Sequence, residues 1–413
     1  MADQRHLSPN ATAALLLVLL GAALLLWQRP WQHSSDADVE IPANASALLA
    51  QQFRALSEAT SESAFAEVAG STDAARTFAR NAWSARERLG VRDVGLRYLT
   101  GGEVADRADG STQADVEVSW MAGGESGLAD ELRTSTIKVR LDPQEDGTFA
   151  VRSVTAATGS LPIWLAGTVE VNKQPDTVLI TIDGGDVDLP IKSMSTKARS
   201  AVAEVLPEVA GKLVVVSPRT EAQVAALLGR KVADVNQIAA VTTDLNGNNG
   251  AAAGVIVLLN PAVFSTMDQR AAQVVLSHEA THALTSAVGT TAQTWVVEGF
   301  ADFVALHDDT APLSLSAGQV LADVDAGKTP KRLPATDEFN SSGHGFGAAY
   351  ESAWMVFRML GERHSDAEII AFYDDVLGDT LLDRALDRAF GLTVEQLTSD
   401  WRDYLEKSAS TVS

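Results

Sequence analysis

The stretch Ala272–Leu284, read as AQVVLSHEATHAL, constrains this chain more than any other, because it sets His278, Glu279 and His282 in an otherwise apolar helical run. Residues four apart on a helix differ by about 40° around its axis, so the two imidazoles project the same way. Burying two imidazoles and a carboxylate without partners would be costly. The spacing instead suits two nitrogens closing on one metal ion, with bonds of about 2.0–2.1 Å. Glu279 is turned about 100° from His278, which suits reaching a water on that ion rather than the ion itself. That is the position of a general base.

A catalytic zinc needs three protein ligands and one open place. Gly289 ends the first helix, a short loop over Thr290–Thr294 follows, and Trp295-Val296-Val297-Glu298-Gly299-Phe300-Ala301-Asp302-Phe303 opens a second. Glu298 is the candidate third ligand. Asp302 lies one turn further on the same face, placed to accept the second ring N–H of a ligand histidine, most simply His278.

His278-Glu279-x-x-His282 followed by Glu298-Gly299-x-Ala301-Asp302 resembles the gluzincin superfamily, which includes the thermolysin-like peptidases and aminopeptidase-N-like enzymes. The fifteen residues between His282 and Glu298 bring it nearer the small membrane-associated peptidase-MA-like group. The resemblance covers roughly Leu213–Leu405. It implies a zinc ion held by His278, His282 and Glu298, Glu279 activating a water, and Asp302 orienting a histidine. Gly347–Phe357 resembles the helix that carries a family tyrosine, which transfers to Tyr350 the stabilisation of an oxyanion. The strand over 254–259 resembles the edge strand that holds an extended peptide. His344, in the Gly-rich stretch 341–347, is a candidate for substrate binding beside its plainer reading as a loop residue. No aminopeptidase-type Gly-x-Met-Glu-Asn motif is present, which favours an endopeptidase acting on peptide or protein substrates. The alternative is a catalytically idle or substrate-binding envelope protein that retains the peptidase fold.

With 413 residues, 46% hydrophobic and 21% charged, the chain has a globular composition and room for two or three domains. Acidic residues outnumber basic ones 54 to 32, for a net charge of −22, so nucleic acid is excluded as a partner. There is no cysteine, which removes disulfides and thiolate metal sites. Residues 11–27, ATAALLLVLLGAALLLW, form an uncharged run that just reaches the lower limit for spanning a bilayer. Trp27 and Trp31 suit the headgroup boundary. This predicts an uncleaved single-pass anchor, with the N-terminus cytoplasmic and the catalytic domain on the extracytoplasmic side of the membrane.

The predicted architecture is α+β: a tail and transmembrane helix over 1–31, a linker over 32–45, an accessory domain over 46–160 and a thermolysin-like zinc peptidase domain over 161–413. Helical spacing over 47–69 and 74–89 gives way to period-two alternation over 114–120, 134–141 and 148–154, with Gly-rich turns between. That pattern suggests a small α+β domain, and it resembles the cone-like fold of nuclear-transport-factor-like domains, a candidate for binding a protein partner. In the peptidase domain a mixed sheet with strands near 167–171, 177–183, 212–217, 237–242 and 254–259 precedes a helical C-terminal part. Asp244–Gly250 reads as a hairpin loop.

Overall fold

The computed structural model describes residues 44–99, 110–123, 126–185, 189–244, 254–285, 287–339 and 346–412. Three helices open it: α1 (Ala45–Glu58), α2 (Glu62–Ala69) and α3 (Asp73–Leu89). The helical stretch expected over 47–69 is thus two helices. Ala59 turns extended, and Ser61 caps α2 by accepting the Ala64 N–H at 3.2 Å. Gly90 closes α3 in the left-handed conformation at φ 63°, where a side chain would be strained.

A four-stranded antiparallel meander follows: β1 (Arg92–Tyr98), β2 (Thr112–Met121), β3 (Leu132–Pro143) and β4 (Phe149–Thr158). Along β2, Ala114, Val116, Val118 and Trp120 face inward and alternate with half-buried residues, as period two requires of a sheet covered on one side. α1 packs against β1 and α3 against β4.

The second sheet holds β5 (Val169–Lys173), β6 (Thr177–Ile182), β7 (Leu213–Pro218), β8 (Ala240–Asp244) and β9 (Val255–Leu259), in the order β5-β6-β7-β9-β8. β6, β7 and β9 run parallel, and the outer strands β5 and β8 run antiparallel to their neighbours. The edge beside the helical half is therefore β8, not the 254–259 strand expected from sequence. The connection returning from β7 passes through α5 (Glu221–Leu227) and lays β8 outside β9.

Every residue of β7 is buried. Leu213 and Val215 enter one core with α4 (Ile191–Val205) and the C-terminal helices, whereas Val214 and Val216 enter another with the N-terminal meander. A strand buried on both faces reads as an unbroken apolar run, as this one does. Over the first face lie α4 and, after α6 (Pro261–Phe264), α7 (Gln269–Leu284). The remaining helices are α8 (Thr294–Ala305), α9 (Leu313–Ser316), α10 (Gly318–Asp325), α11 (Phe346–Gly361), α12 (Asp366–Leu377), α13 (Leu382–Phe390) and α14 (Val394–Val412).

The N-terminal part leans directly on the other face. Leu128, Ile163 and Trp164 share a core with Val178, Ile180 and Leu258. Gly127 takes φ +74° so close to the sheet that a Cβ would stand 2.8 Å from Cγ2 of Val214. Arg133 of β3 is also buried there, its guanidinium 5.2 Å from the Trp120 ring centroid. Burial pulls the Arg133 guanidinium below its ordinary value, against the upward pull of Glu131, Asp244 and Asp130.

Two expectations need correction. The transmembrane helix over 11–27 lies outside the described residues, and among the described residues no helix is long and apolar enough to cross a membrane. The longest, α14, interrupts its apolar positions with Glu395, Asp400, Arg402, Asp403, Glu406 and Lys407. What stands is an α+β protein of two sheets and 14 helices among the described residues, without the membrane-spanning element, and the single-pass extracytoplasmic placement falls with it.

The contact at Gly127 is testable. Gly127→Ala should cost about 1–3 kcal/mol of stability, because backbone strain and overpacking against a buried Val214 add. Denaturant unfolding measures it; an unchanged midpoint would mean that this loop does not rest on the sheet.

Candidate metal centre

α7 begins where Asp268 accepts the Ala271 N–H at 2.9 Å. Its stripe Ala272, Leu276 and Ala280 is buried in the core beneath, at helical spacing. The rotation that buries this stripe turns His278 and His282 toward α8. The helix ends earlier than expected, at Leu284, where the Thr285 N–H bonds the Thr281 carbonyl at 3.0 Å.

α8 is apolar on most sides and correspondingly buried, with Trp295, Val296, Phe300, Ala301 and Val304 in the core. Glu298 and Asp302 sit one turn apart on the side facing α7, and together they hold both nitrogens of one ring. His278 Nδ1 lies 2.7 Å from Asp302 Oδ1, and His278 Nε2 lies 3.1 Å from Glu298 Oε2. His282 Nε2 stands 2.9 Å from His278 Nε2 and 3.3 Å from Glu298 Oε2. His278, His282 and Glu298 are the one group of three such side chains among the described residues whose ligand atoms lie within 4.8 Å of one another.

These separations carry a chemical argument. Asp302 accepts, so Nδ1 of His278 donates to it and leaves a lone pair on Nε2. That lone pair then faces two more acceptor atoms, an arrangement that calls for positive charge at its centre. Burial alone would pull the His278 imidazole down, but Asp302 and then Glu298 hold it well above the ordinary histidine value. Burial likewise pushes the Glu298 carboxyl up, yet His282 and His278 hold it far below the usual carboxylate range. A tetrahedral ion with bonds of about 2.0–2.1 Å sets its ligand atoms about 3.3 Å apart, close to what these residues present. Two imidazoles and a carboxylate are also a donor set that suits zinc. The residues fit the ion.

Tyr350 lies at the start of the second turn of α11, its ring centroid 6.0 Å from that of His278 and 5.1 Å from that of Phe339. Burial, with Glu298, Asp302 and Glu279 nearby, pushes the phenol far above its ordinary value, so it keeps its proton and can donate. Gly299 explains how α11 comes so near. A Cβ there would stand 2.7 Å from the Ala353 carbonyl oxygen and 2.8 Å from Phe357 Cδ2. Only a residue without a side chain lets the two helices close to this distance.

Glu279 is not one of the three converging residues. Its Oε2 lies 2.6 Å from Oγ1 of Thr242 on β8, and the same hydroxyl lies 2.9 Å from the Glu279 carbonyl oxygen. Thr242 carries no motif, and sequence reading passes over it. Of the other expected site residues, the structure brings His278, His282, Glu298, Asp302 and Tyr350 together, while His344 lies outside the described residues. Comparison of the chain with protein-family models, curated proteins and solved structures gives no match in any of the three.

Removing the carboxylate behind a ligand histidine weakens metal affinity by about 10–100-fold where such pairs orient the ring. Asp302→Ala should show that loss in zinc competition against a chelating dye, and His278→Ala should lose stoichiometric zinc altogether. Wild-type affinity in both would mean that the cluster holds no zinc.

Proposed function

We propose that this chain is a zinc-dependent peptidase, acting as an endopeptidase through His278, His282 and Glu298 as ligands. The observation that carries the reading is the convergence of three ligand atoms while Glu279, on the same helix as the histidines, stays outside the set. A purely structural zinc favours a fourth protein ligand and has no need of a neighbouring base. The resemblance of the two motifs to gluzincin peptidases supports the same reading.

A bound zinc would supply Lewis acidity, lowering the pKa of a water toward about 7 and polarising a carbonyl. The chain's own residues do the rest. Glu279 takes a proton from the water as the water oxygen bonds to the scissile carbonyl carbon. Tyr350 donates its O–H to the carbonyl oxygen as negative charge gathers there. Glu279 then passes the proton to the amide nitrogen as the C–N bond breaks, and the carboxylate is regenerated. Asp302 holds the His278 ring and takes no part in the proton transfers. β8, the outer strand beside α7, offers an edge along which an extended peptide can lie by backbone hydrogen bonds.

Glu279→Gln separates the chemistry from the metal. The variant should keep stoichiometric zinc by elemental analysis and lose at least about 10²-fold in cleavage of a quenched fluorogenic peptide library. Cleavage as fast as that of the parent protein would refute the assignment of Glu279, and no cleavage by the parent would refute the peptidase reading.

A further inference from the structure

The geometry points to Thr242 as the positioning residue for the Glu279 carboxylate, so that the edge strand itself aims the base. The inference rests on the peptidase reading for its kinetic consequence but on the structure alone for its geometry. Thr242 is the middle residue of β8, paired with Val257 on β9. Strand alternation sets it on the same face as Ala240 and Asp244, and α7 crosses β8 on the face where Ala240 joins the helical core. Its hydroxyl therefore meets α7 at Glu279 and not at the ligands.

The plainer view is that Thr242 merely satisfies a helix carbonyl. Both oxygens of Glu279 are within reach, at 2.6 Å for Oε2 and 2.9 Å for the carbonyl, but the hydroxyl has one proton. A carboxylate is the stronger acceptor, and 2.5–2.7 Å is the usual separation of an O–H bonded to one. The carbonyl already lies inside a helix and has its own i+4 donor. The proton therefore goes to Oε2.

Two consequences follow. With Oε2 engaged by Thr242, Oε1 is the oxygen that exchanges a proton with substrate, so the two oxygens of the base have separate tasks. And because Thr242 belongs to the strand along which a peptide would lie, the base is fixed relative to the substrate backbone and not only to the helix that bears it. A misplacement of about 1 Å in such a group costs about 10²-fold in rate.

The test uses the full chain in three forms: the parent, Thr242→Val, which keeps the branched shape without the hydroxyl, and Thr242→Ser, which keeps the hydroxyl. With a fluorogenic peptide that the parent cleaves, Thr242→Val should lower kcat by about 10–100-fold, keep KM within about 3-fold and retain stoichiometric zinc and the parent melting midpoint. Thr242→Ser should recover most of kcat. An unchanged kcat in Thr242→Val, a loss accompanied by loss of zinc or of stability, or a failure of serine to restore activity would each overturn the assignment. Glu279→Gln, run alongside, keeps the two ideas apart: if it stays active the base itself is misassigned, whereas if it is dead and Thr242→Val is not, only the role of Thr242 fails. Crystal structures of the parent and Thr242→Val give a readout that needs no turnover. The Glu279 carboxylate should contact Thr242 Oγ1 in the first and leave that orientation in the second; a carboxylate unmoved by the substitution overturns the proposal even if no peptide is cleaved.

Discussion

The site depends on two carboxylates one helical turn apart gripping both nitrogens of a single imidazole. Asp302 takes Nδ1 of His278 and Glu298 faces Nε2, so the ring has one orientation and one tautomer. Everything else is arranged around that ring: His282 is one turn along the same helix, and Tyr350 approaches its face from α11. The grip works only because α7 and α8 are held rigidly by apolar packing on their remaining sides. Trp295, Phe300 and Phe303 anchor α8 in an aromatic cluster with Phe357 and Tyr373, the last stacked on Phe300 at 3.8 Å between centroids. A polar cluster buried this far would destabilise the fold if its members were loosely satisfied, so the core and the site constrain one another.

Close approach and electrostatics meet at Gly299. The residue next to Glu298 is the one that lets α11 come within van der Waals distance of α8. Tyr350 is thereby brought among three carboxylates, and the same crowding that forbids its ionisation keeps it a donor. Packing and chemistry are here a single fact about helix spacing.

The clustering of the candidate ligands was legible in the sequence because their spacing is local. His278 and His282, and likewise Glu298 and Asp302, are four apart on helices, and a helix fixes such pairs whatever the tertiary fold. The alternation along β2 and the unbroken apolar run of β7 were readable for the same reason. The edge strand was misread. β9, VIVLL, is an unbroken apolar run that suits an inner strand and β8, AVTTD, is the more polar edge, so it was the resemblance and not the pattern that misplaced the 254–259 strand as the border of the sheet. Thr242 was invisible, since its contact with Glu279 spans 37 residues and joins a strand to a helix. The break at Ala59 turned on a cap, Ser61, that an Ala-rich run conceals. The apolar run over 11–27 read as a membrane span from composition alone, with no packing to test it.

Helical spacing followed by period-two alternation also suggested that residues 46–160 stand apart as an accessory unit, and the cores give the physical relation between that segment and the rest. Val214 and Val216 point into the N-terminal meander while Leu213 and Val215 point into the helical half, so the strand that carries both cannot shift without disturbing each. β8 is tied at its middle, where Thr242 meets the helix bearing the histidines. A strand on the edge of a sheet is ordinarily the most easily frayed, since it lacks a neighbour on one side. Here the tie at Thr242 counters that fraying and keeps the strand in a fixed place beside Glu279.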